Sequence, residues 1–193
     1  VTTSSRTTSK RARAGIAALA VFALDQATKI WAVAALSDGP LTIIDGFFRF
    51  ALARNPGASF SLFTDAGQAI GVIALGVIVF VFLLVDRVSH PIDVLGLGLI
   101  MGGAAGNVAD RIFRGDGFLD GAVVDFIDFD FFPSFNVADT AINIGVGLLL
   151  LGTFVHHRRH GNGGAAEDES HGDLDRDPDA HEAPPDRVEE HDA

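Results

Sequence analysis

Apolar residues fall in four long blocks along the chain, separated by stretches of a different texture. Residues 66–85 (AGQAIGVIALGVIVFVFLLV) run for 20 positions without a charge, and Gln68 is the one strongly polar side chain among them. At about 1.5 Å per residue such a helix crosses a hydrocarbon core of about 30 Å. Three further blocks are nearly as apolar but carry polar interruptions: 14–36 with Asp25 and Lys29, 92–112 with Asp93, Asn107, Asp110 and Arg111, and 137–155 with Asp139 and Asn143. The pattern predicts four transmembrane helices. A soluble protein with four buried helices is the alternative, but about 155 residues with four such blocks leave too little polar surface to clothe it.

Between the first two blocks, residues 41–63 (LTIIDGFFRFALARNPGASFSLF) mix short β-like runs, turn residues and aromatics, which predicts a small sheet or ribbon at the membrane surface. Residues 126–135 combine five Phe with Asp128 and Asp130, suited to an interfacial segment with rings in lipid and carboxylates in water. The expected fold class is an all-α membrane protein with four transmembrane helices, a small β-rich outer loop region and a disordered acidic C-terminal tail. Its parts are a basic N-terminus (1–13), a four-helix membrane domain (14–155) and the tail (156–193).

Charge sharpens this division. The formal net charge is −11 with a mean hydropathy of +0.33, and residues 156–193 account for −8 of that charge. From Gly161 onward the tail has almost no large apolar residue, so it cannot bury enough surface to offset its ordering entropy. The six histidines of residues 156–193 are scattered and read as solvated rather than as a metal site. An acidic chain is not a nucleic-acid binder. The absence of cysteine excludes disulfides, thiolate catalysis and Cys-ligated metals.

Basic residues set an orientation. Arg6, Lys10, Arg11 and Arg13 precede the first block, Arg87 lies between the second and third, and Arg158 and Arg159 follow the fourth. The positive-inside rule then places both termini in the cytoplasm and the two longer loops outside. The first block, with its basic flank and the small residues Ala32-Val33-Ala34, has some features of a signal peptide. Asp25 and Lys29 would interrupt the apolar region of such a peptide, so it is expected to be a retained helix.

Ionisable groups at membrane depth cost a few kcal/mol, which makes each a candidate for function. Asp25 and Lys29 form an i, i+4 pair, open both to mutual neutralisation and to a functional role. Gly98, Gly102 and Gly106 form overlapping small-xxx-small steps that admit a second helix. Asn107 and Arg111 share a face beside Asp110, and the charged pair could also snorkel or pair at the helix end. Asn136, Asp139 and Asn143 fall on one face of the fourth helix, and Asp125 sits in the apolar context VVDFI of the second outer loop. The topology puts Asp125 and Asp139 at one depth near the outer boundary. Two carboxylates in a low-dielectric pocket share a proton, supplying an acid and a base for peptide hydrolysis. A proton-relaying carrier and a non-catalytic scaffold are rival readings. A relay requires acids spread through the bilayer, whereas hydrolysis requires two together with water. Ser59 and Ser61 have no histidine on their side of the membrane, and Asp125, Asp128 and Asp130 lack the spacing of a calcium loop.

Four ordered motifs carry a resemblance. They are Asp25-Gln26-Ala27-Thr28-Lys29, then Arg54-Asn55-Pro56-Gly57-Ala58-Ser59-Phe60-Ser61, then Gly102 to Arg111 (GGAAGNVADR) followed by Val123-Val124-Asp125-Phe126-Ile127, and lastly Phe135-Asn136-Val137-Ala138-Asp139. Over roughly residues 14–155 the chain resembles bacterial lipoprotein signal peptidase, the signal peptidase II family of four-helix aspartic proteases in the inner membrane. The resemblance implies that Asp125 and Asp139 are a catalytic dyad. It implies that Asp25, Lys29, Asn55, Gly106, Asn107, Asp110, Arg111 and Asn136 support the site or hold substrate. It further implies prolipoprotein substrates carrying a diacylglyceryl-cysteine and cut just before that residue. Membrane lipids as surroundings, no metal or organic cofactor, and inhibition by the cyclic peptide globomycin are implied as well. Two features depart from the family pattern: Ser59 stands where a second alanine is common, and the stretch from Arg111 to Asp125 is longer than in the shortest members.

Overall fold

The computed structural model describes the backbone of residues 2–57 and 66–171 and the side chains of residues 8–57 and 67–155. Four helices and four strands follow in the order α1 (Thr2–Ala35), β1 (Leu41–Ile44), β2 (Phe48–Asn55), α2 (Ala66–Leu84), α3 (Pro91–Phe113), β3 (Val123–Phe129), β4 (Phe132–Phe135) and α4 (Val137–His171). Each helix contains a stretch long and apolar enough to cross a membrane: Thr8–Ala35, Gly67–Leu84, Pro91–Phe113 and Val137–Val155. The four expected spans are therefore present. α1 begins earlier than expected, so the basic segment ahead of residue 14 is helical from Thr2.

By contact the chain divides into Val1–Thr153 and Phe154–Ala193. In the second unit the described part continues α4 to His171. Residues 172–193 of the expected tail lie outside the described residues, as do 58–63 of the expected ribbon.

α3 is the most buried span of the four, and its glycines explain why. A Cβ on Gly98 would meet the Ala14 carbonyl at 2.7 Å, and one on Gly102 would meet Ala18 Cα at 2.8 Å. The small-residue stripe therefore seats α1 directly on α3, as the spacing predicts. On another face, Gly96 and Gly145 bring α3 and α4 together, each lying against the other's carbonyl at 2.8 and 2.6 Å from the Cβ it lacks. Without a hydrophobic driving force between helices in lipid, such close backbone approach supplies the packing. At one end of the bundle Pro91 starts α3 with its preset φ, and Lys10 Nζ donates to the Val88 carbonyl at 2.7 Å. Beside it Arg11 pairs with Asp86.

At the other end lies one antiparallel sheet in the order β1-β2-β3-β4. β1 and β2 form a hairpin around Asp45-Gly46-Phe47, with Gly46 at φ +67°. β2 pairs with β3 through Arg49↔Asp128 and Ala53↔Asp125, with a bulge between Phe50 and Ala53 that gives β2 one extra residue. The expected interfacial segment is thus two strands of this sheet. Its rings stack on one another: Phe48 on Phe129 at 4.8 Å, with Phe135 stacked on Phe129 at 6.2 Å. Its carboxylates are paired, Asp128 with Arg49 Nε at 2.6 Å and Asp130 with the same guanidinium at 3.5 Å. Trp31 of α1 meets Phe50 and Phe126 edge-on at 5.5 and 6.1 Å, which seats the sheet on the bundle.

Candidate active site

Asp125 belongs to β3, two residues into the strand, and Asp139 to the first turn of α4. Both line one cavity of about 290 Å³ together with Asn55, Asn107 and Arg111. The remaining lining comes from Ile70, Ala74 and Val77 of α2, Ile100 and Ala104 of α3, Val123, and Ile142 of α4. Arg111, Asn107, Ala104 and Ile100 lie three or four residues apart on one face of α3. The wall therefore passes from charged to apolar over about 16 Å. The cavity is polar at the sheet end and hydrocarbon-like below it.

Three asparagines hold the carboxylates. Asn136 donates through Nδ2 to Asp125 Oδ1 at 2.7 Å, and its backbone N–H donates to Asp139 Oδ2 at 3.2 Å. In return the Asp139 N–H donates to Asn136 Oδ1 at 3.0 Å, a reciprocal cap at the start of α4. Asn107 donates to Asp139 Oδ1 at 2.8 Å, and Asn55 donates to Asp125 Oδ2 at 3.2 Å. The Asn55 side-chain oxygen Oδ1 accepts from the Gly57 N–H at 2.9 Å in a tight turn with Gly57 at φ +98°. Only glycine adopts that conformation at no steric cost, and a Cβ there would also meet Gly67 Cα at 2.8 Å.

Asp125 is almost completely buried. Burial pushes its carboxyl up to about 6, and the neighbouring Asp139 charge adds to the push. The hydrogen bonds from Asn136 and Asn55 and the Lys29 charge act in the opposite direction.

Behind this layer lies a second polar group. Lys29 is fully buried and pairs with Asp25 at 2.9 Å and Asp110 at 2.8 Å, and it donates to Asn107 Oδ1 at 2.9 Å. The Asp25 and Lys29 charges neutralise one another, and Lys29 also contacts Asn107 of the cavity wall. Gly106 sits where a Cβ would collide with the Asp25 carboxyl. Arg111 is buried with its guanidinium toward Pro56 and lines the cavity beside Asn107. All ten residues singled out from the sequence thus gather at the sheet end of the bundle. Asn143, on the same predicted face as Asp139, does not join them. It is exposed and bonds back to the Asp139 carbonyl at 3.0 Å.

Sequence reasoning missed three contributors. Gln26 Nε2 donates to Asp25 and to the Gly106 carbonyl, both at 3.1 Å. Arg114 pairs with Asp110 at 2.8 Å as an i, i+4 partner in the favourable acid-first order, a signal the spacing rule can find. Leu119, buried at φ +57°, packs into the space left by Gly71 of α2 beside the Arg111 stem. No local pattern flags a leucine in that conformation. Among the described residues, no group of three or more His, Asp and Glu side chains is arranged to hold a metal ion.

Comparison with known proteins decides the family. The family model described as signal peptidase (SPase) II matches residues 17–155. The chain belongs to the signal peptidase II family. A lipoprotein signal peptidase of Rhodococcus jostii is 42% identical over 136 residues, covering 70% of this chain and 69% of that one. One from Mycobacterium tuberculosis is 44% identical over 135 residues, covering 69% and 67%. Among solved structures, a bacterial membrane enzyme determined by the in meso method at 1.9 Å resolution aligns with a TM-score of 0.64 at 26% identity. That alignment covers 72% of this chain and 91% of that one. A second such enzyme, at 2.3 Å resolution, aligns at 0.61 and 25% identity, covering 73% and 87%. This member of the signal peptidase II family is accordingly a multi-pass membrane protease, and the matched segment contains the cavity and all four spans but for the first turns of α1.

Proposed function

We propose that the chain is an aspartic endopeptidase that removes signal peptides from prolipoproteins, cutting before a diacylglyceryl-modified cysteine. The observation that carries this reading is the pairing of Asp125 and Asp139 at the polar end of a cavity whose other walls are apolar. A lipid-bearing substrate needs both environments at once: hydrocarbon for its acyl chains and signal helix, and water with a proton donor for its scissile bond.

In the proposed mechanism the dyad holds one proton and a water molecule between its carboxyl groups. One carboxylate takes a proton from that water as its oxygen attacks the scissile carbonyl carbon. The carboxyl proton of the other passes to the carbonyl oxygen, giving a neutral tetrahedral diol. Collapse of the diol breaks the C–N bond as the first group returns its proton to the leaving amine and the second takes one back from a diol hydroxyl, leaving a carboxylic acid, an amine and the dyad with its single proton restored. Asn136 and Asn107 keep the two carboxyls oriented during this exchange, and the Arg111 guanidinium offers a donor for a substrate carbonyl. No metal or organic cofactor takes part in this scheme, and globomycin would compete for the same cavity. The sheet end faces outward with both termini in the cytoplasm, an orientation that follows from the distribution of Arg and Lys.

The test is cleavage of a synthetic prolipoprotein by the purified protein in detergent or bilayer, with and without diacylglyceryl on the cysteine. Cleavage confined to the lipidated precursor is expected. Equal turnover of both forms would remove the lipid from the reading, and absence of cleavage would remove the reading itself.

A further inference from the structure

Lys29 has three N–H donors, and each has its own acceptor: Asp25 Oδ2, Asp110 Oδ2 and Asn107 Oδ1. What those acceptors do next is the informative part. Asp25 accepts through Oδ1 from the backbone N–H of Ala138 at 3.0 Å, and Ala138 immediately precedes Asp139. Asp110 accepts through Oδ2 from the backbone N–H of Val124 at 3.1 Å, and Val124 immediately precedes Asp125. Asn107, the third acceptor, donates to the Asp139 carboxylate itself at 2.8 Å. Two acids from two different helices thus grip the two aspartate-bearing segments at equivalent backbone positions, and one ammonium group joins the acids.

We propose that Lys29 is a positioning residue that fixes the separation between Asp125 and Asp139. It acts through Asp25 on the start of α4 and through Asp110 on the start of β3. The proposal rests on the dyad reading and adds to it a reason for a buried charge that faces neither the cavity nor solvent. Neutralisation of Asp25 alone would not require the second acid, and a packing role would not require the two backbone N–H groups. β3 and α4 also meet directly, through the Asn136 side chain that donates to Asp125 Oδ1 at 2.7 Å and to the Val124 carbonyl at 3.4 Å, and the Lys29 network adds a second tie on the backbone one residue before each aspartate. The Lys29 ammonium, joining Asp25 of α1 to Asp110 of α3, holds the two grips in register.

The experiment compares Lys29→Met, the double variant Asp25→Asn/Lys29→Met, and Asp110→Asn with the unaltered protein. The substrate is the lipidated precursor, assayed well below each variant's unfolding temperature. The double variant leaves Asp110 paired with Arg114, so no isolated charge is buried, and the amide introduced by Asp25→Asn would still offer an oxygen to the Ala138 N–H. A misplacement of about an ångström between reacting groups costs about 100-fold in kcat, with KM little changed. That split is expected for Lys29→Met and for the double variant, with a smaller loss for Asp110→Asn. Wild-type kcat in a folded Lys29→Met or double variant, or a loss confined to KM, overturns the proposal. Failure of all three to purify folded assigns Lys29 to stability alone and overturns it as well. Asp125→Asn and Asp139→Asn in the same assay separate the two claims: if either is active the dyad is wrong, whereas inactivity of both with a fully active Lys29→Met removes only the spacer.

Discussion

Asn107 donates its side-chain amide to the Asp139 carboxylate at 2.8 Å, joining one membrane span to the start of another. With Asn107 on Oδ1 and the Asn136 N–H on Oδ2, each oxygen of this carboxylate carries a donor, which fixes its orientation. Because the Asn107 carbonyl oxygen accepts from both Lys29 and Asn136, the amide cannot flip without losing two partners. Its orientation is therefore determined by its surroundings.

Asp125→Asn and Asp139→Asn should each abolish cleavage of a lipidated precursor while the protein still inserts. Loss of one half of an acid–base pair removes about 10²- to 10⁴-fold in rate. The measurement is single-turnover cleavage alongside the yield of folded, membrane-extracted protein. Substantial activity in either variant would end the dyad assignment.

The Asp125 carboxyl, pushed up to about 6 by burial and by Asp139, sets an expectation for pH. If the proton shared by the dyad is the one this carboxyl loses, kcat/KM should fall about tenfold per unit as pH rises past that value. Stability should follow the same group with a definite sign. Between about 4, its ordinary value, and 6, the folded state binds more protons than the unfolded state, so stability decreases as pH rises through this window. Asp125→Asn should remove that dependence and be the more stable form at pH 8, by up to about 3 kcal/mol. Thermal unfolding of both proteins at about pH 4 and about pH 8 checks it, and a parallel pH response would contradict the assignment.

Gly106→Ala places a methyl group against the Asp25 carboxyl, which Lys29, Gln26 and the Ala138 N–H hold in place. The neighbour cannot yield without breaking those bonds, so the variant should lose about 1–3 kcal/mol of stability and much of its activity. Gly147→Ala, where nothing lies within 4 Å, serves as the control and should behave as the unaltered protein.

Trp31 links α1 to the sheet through its edge-on packing with Phe50 and Phe126, and Phe126 adjoins Asp125. For each of these two ring pairs, Trp31→Ala should cost about 0.5–1.5 kcal/mol beyond the buried area. It should reduce turnover more than insertion. Trp31→Asp, Phe47→Asp and Phe48→Asp carry the same test to the substrate: if the aromatic sheet clamps the precursor, each should weaken processing. Unchanged processing in all three would remove the clamp.

Much of this was legible in one dimension. Four spans, the glycine stripe on α3 and the polar residues at membrane depth follow from hydropathy and helical period alone. These are local statements: a helix in lipid satisfies its own backbone, and a charge there is costly wherever the chain later goes. The small sheet was anticipated as a ribbon, but its order and the bulge between Phe50 and Ala53 depend on pairing with β3, far along the chain.

What the tertiary structure alone decided is which polar groups meet. Asn143 shares a helix face with Asp139 by count, yet it is exposed. Gln26, with no distinguishing pattern, ends between Asp25, Gly106 and Asp110. The residue types and their depth were set by the sequence, because desolvation acts on each side chain singly. Their pairing was set by the fold, because hydrogen bonds between α1, α3, β3 and α4 exist only once the glycines have let those backbones approach.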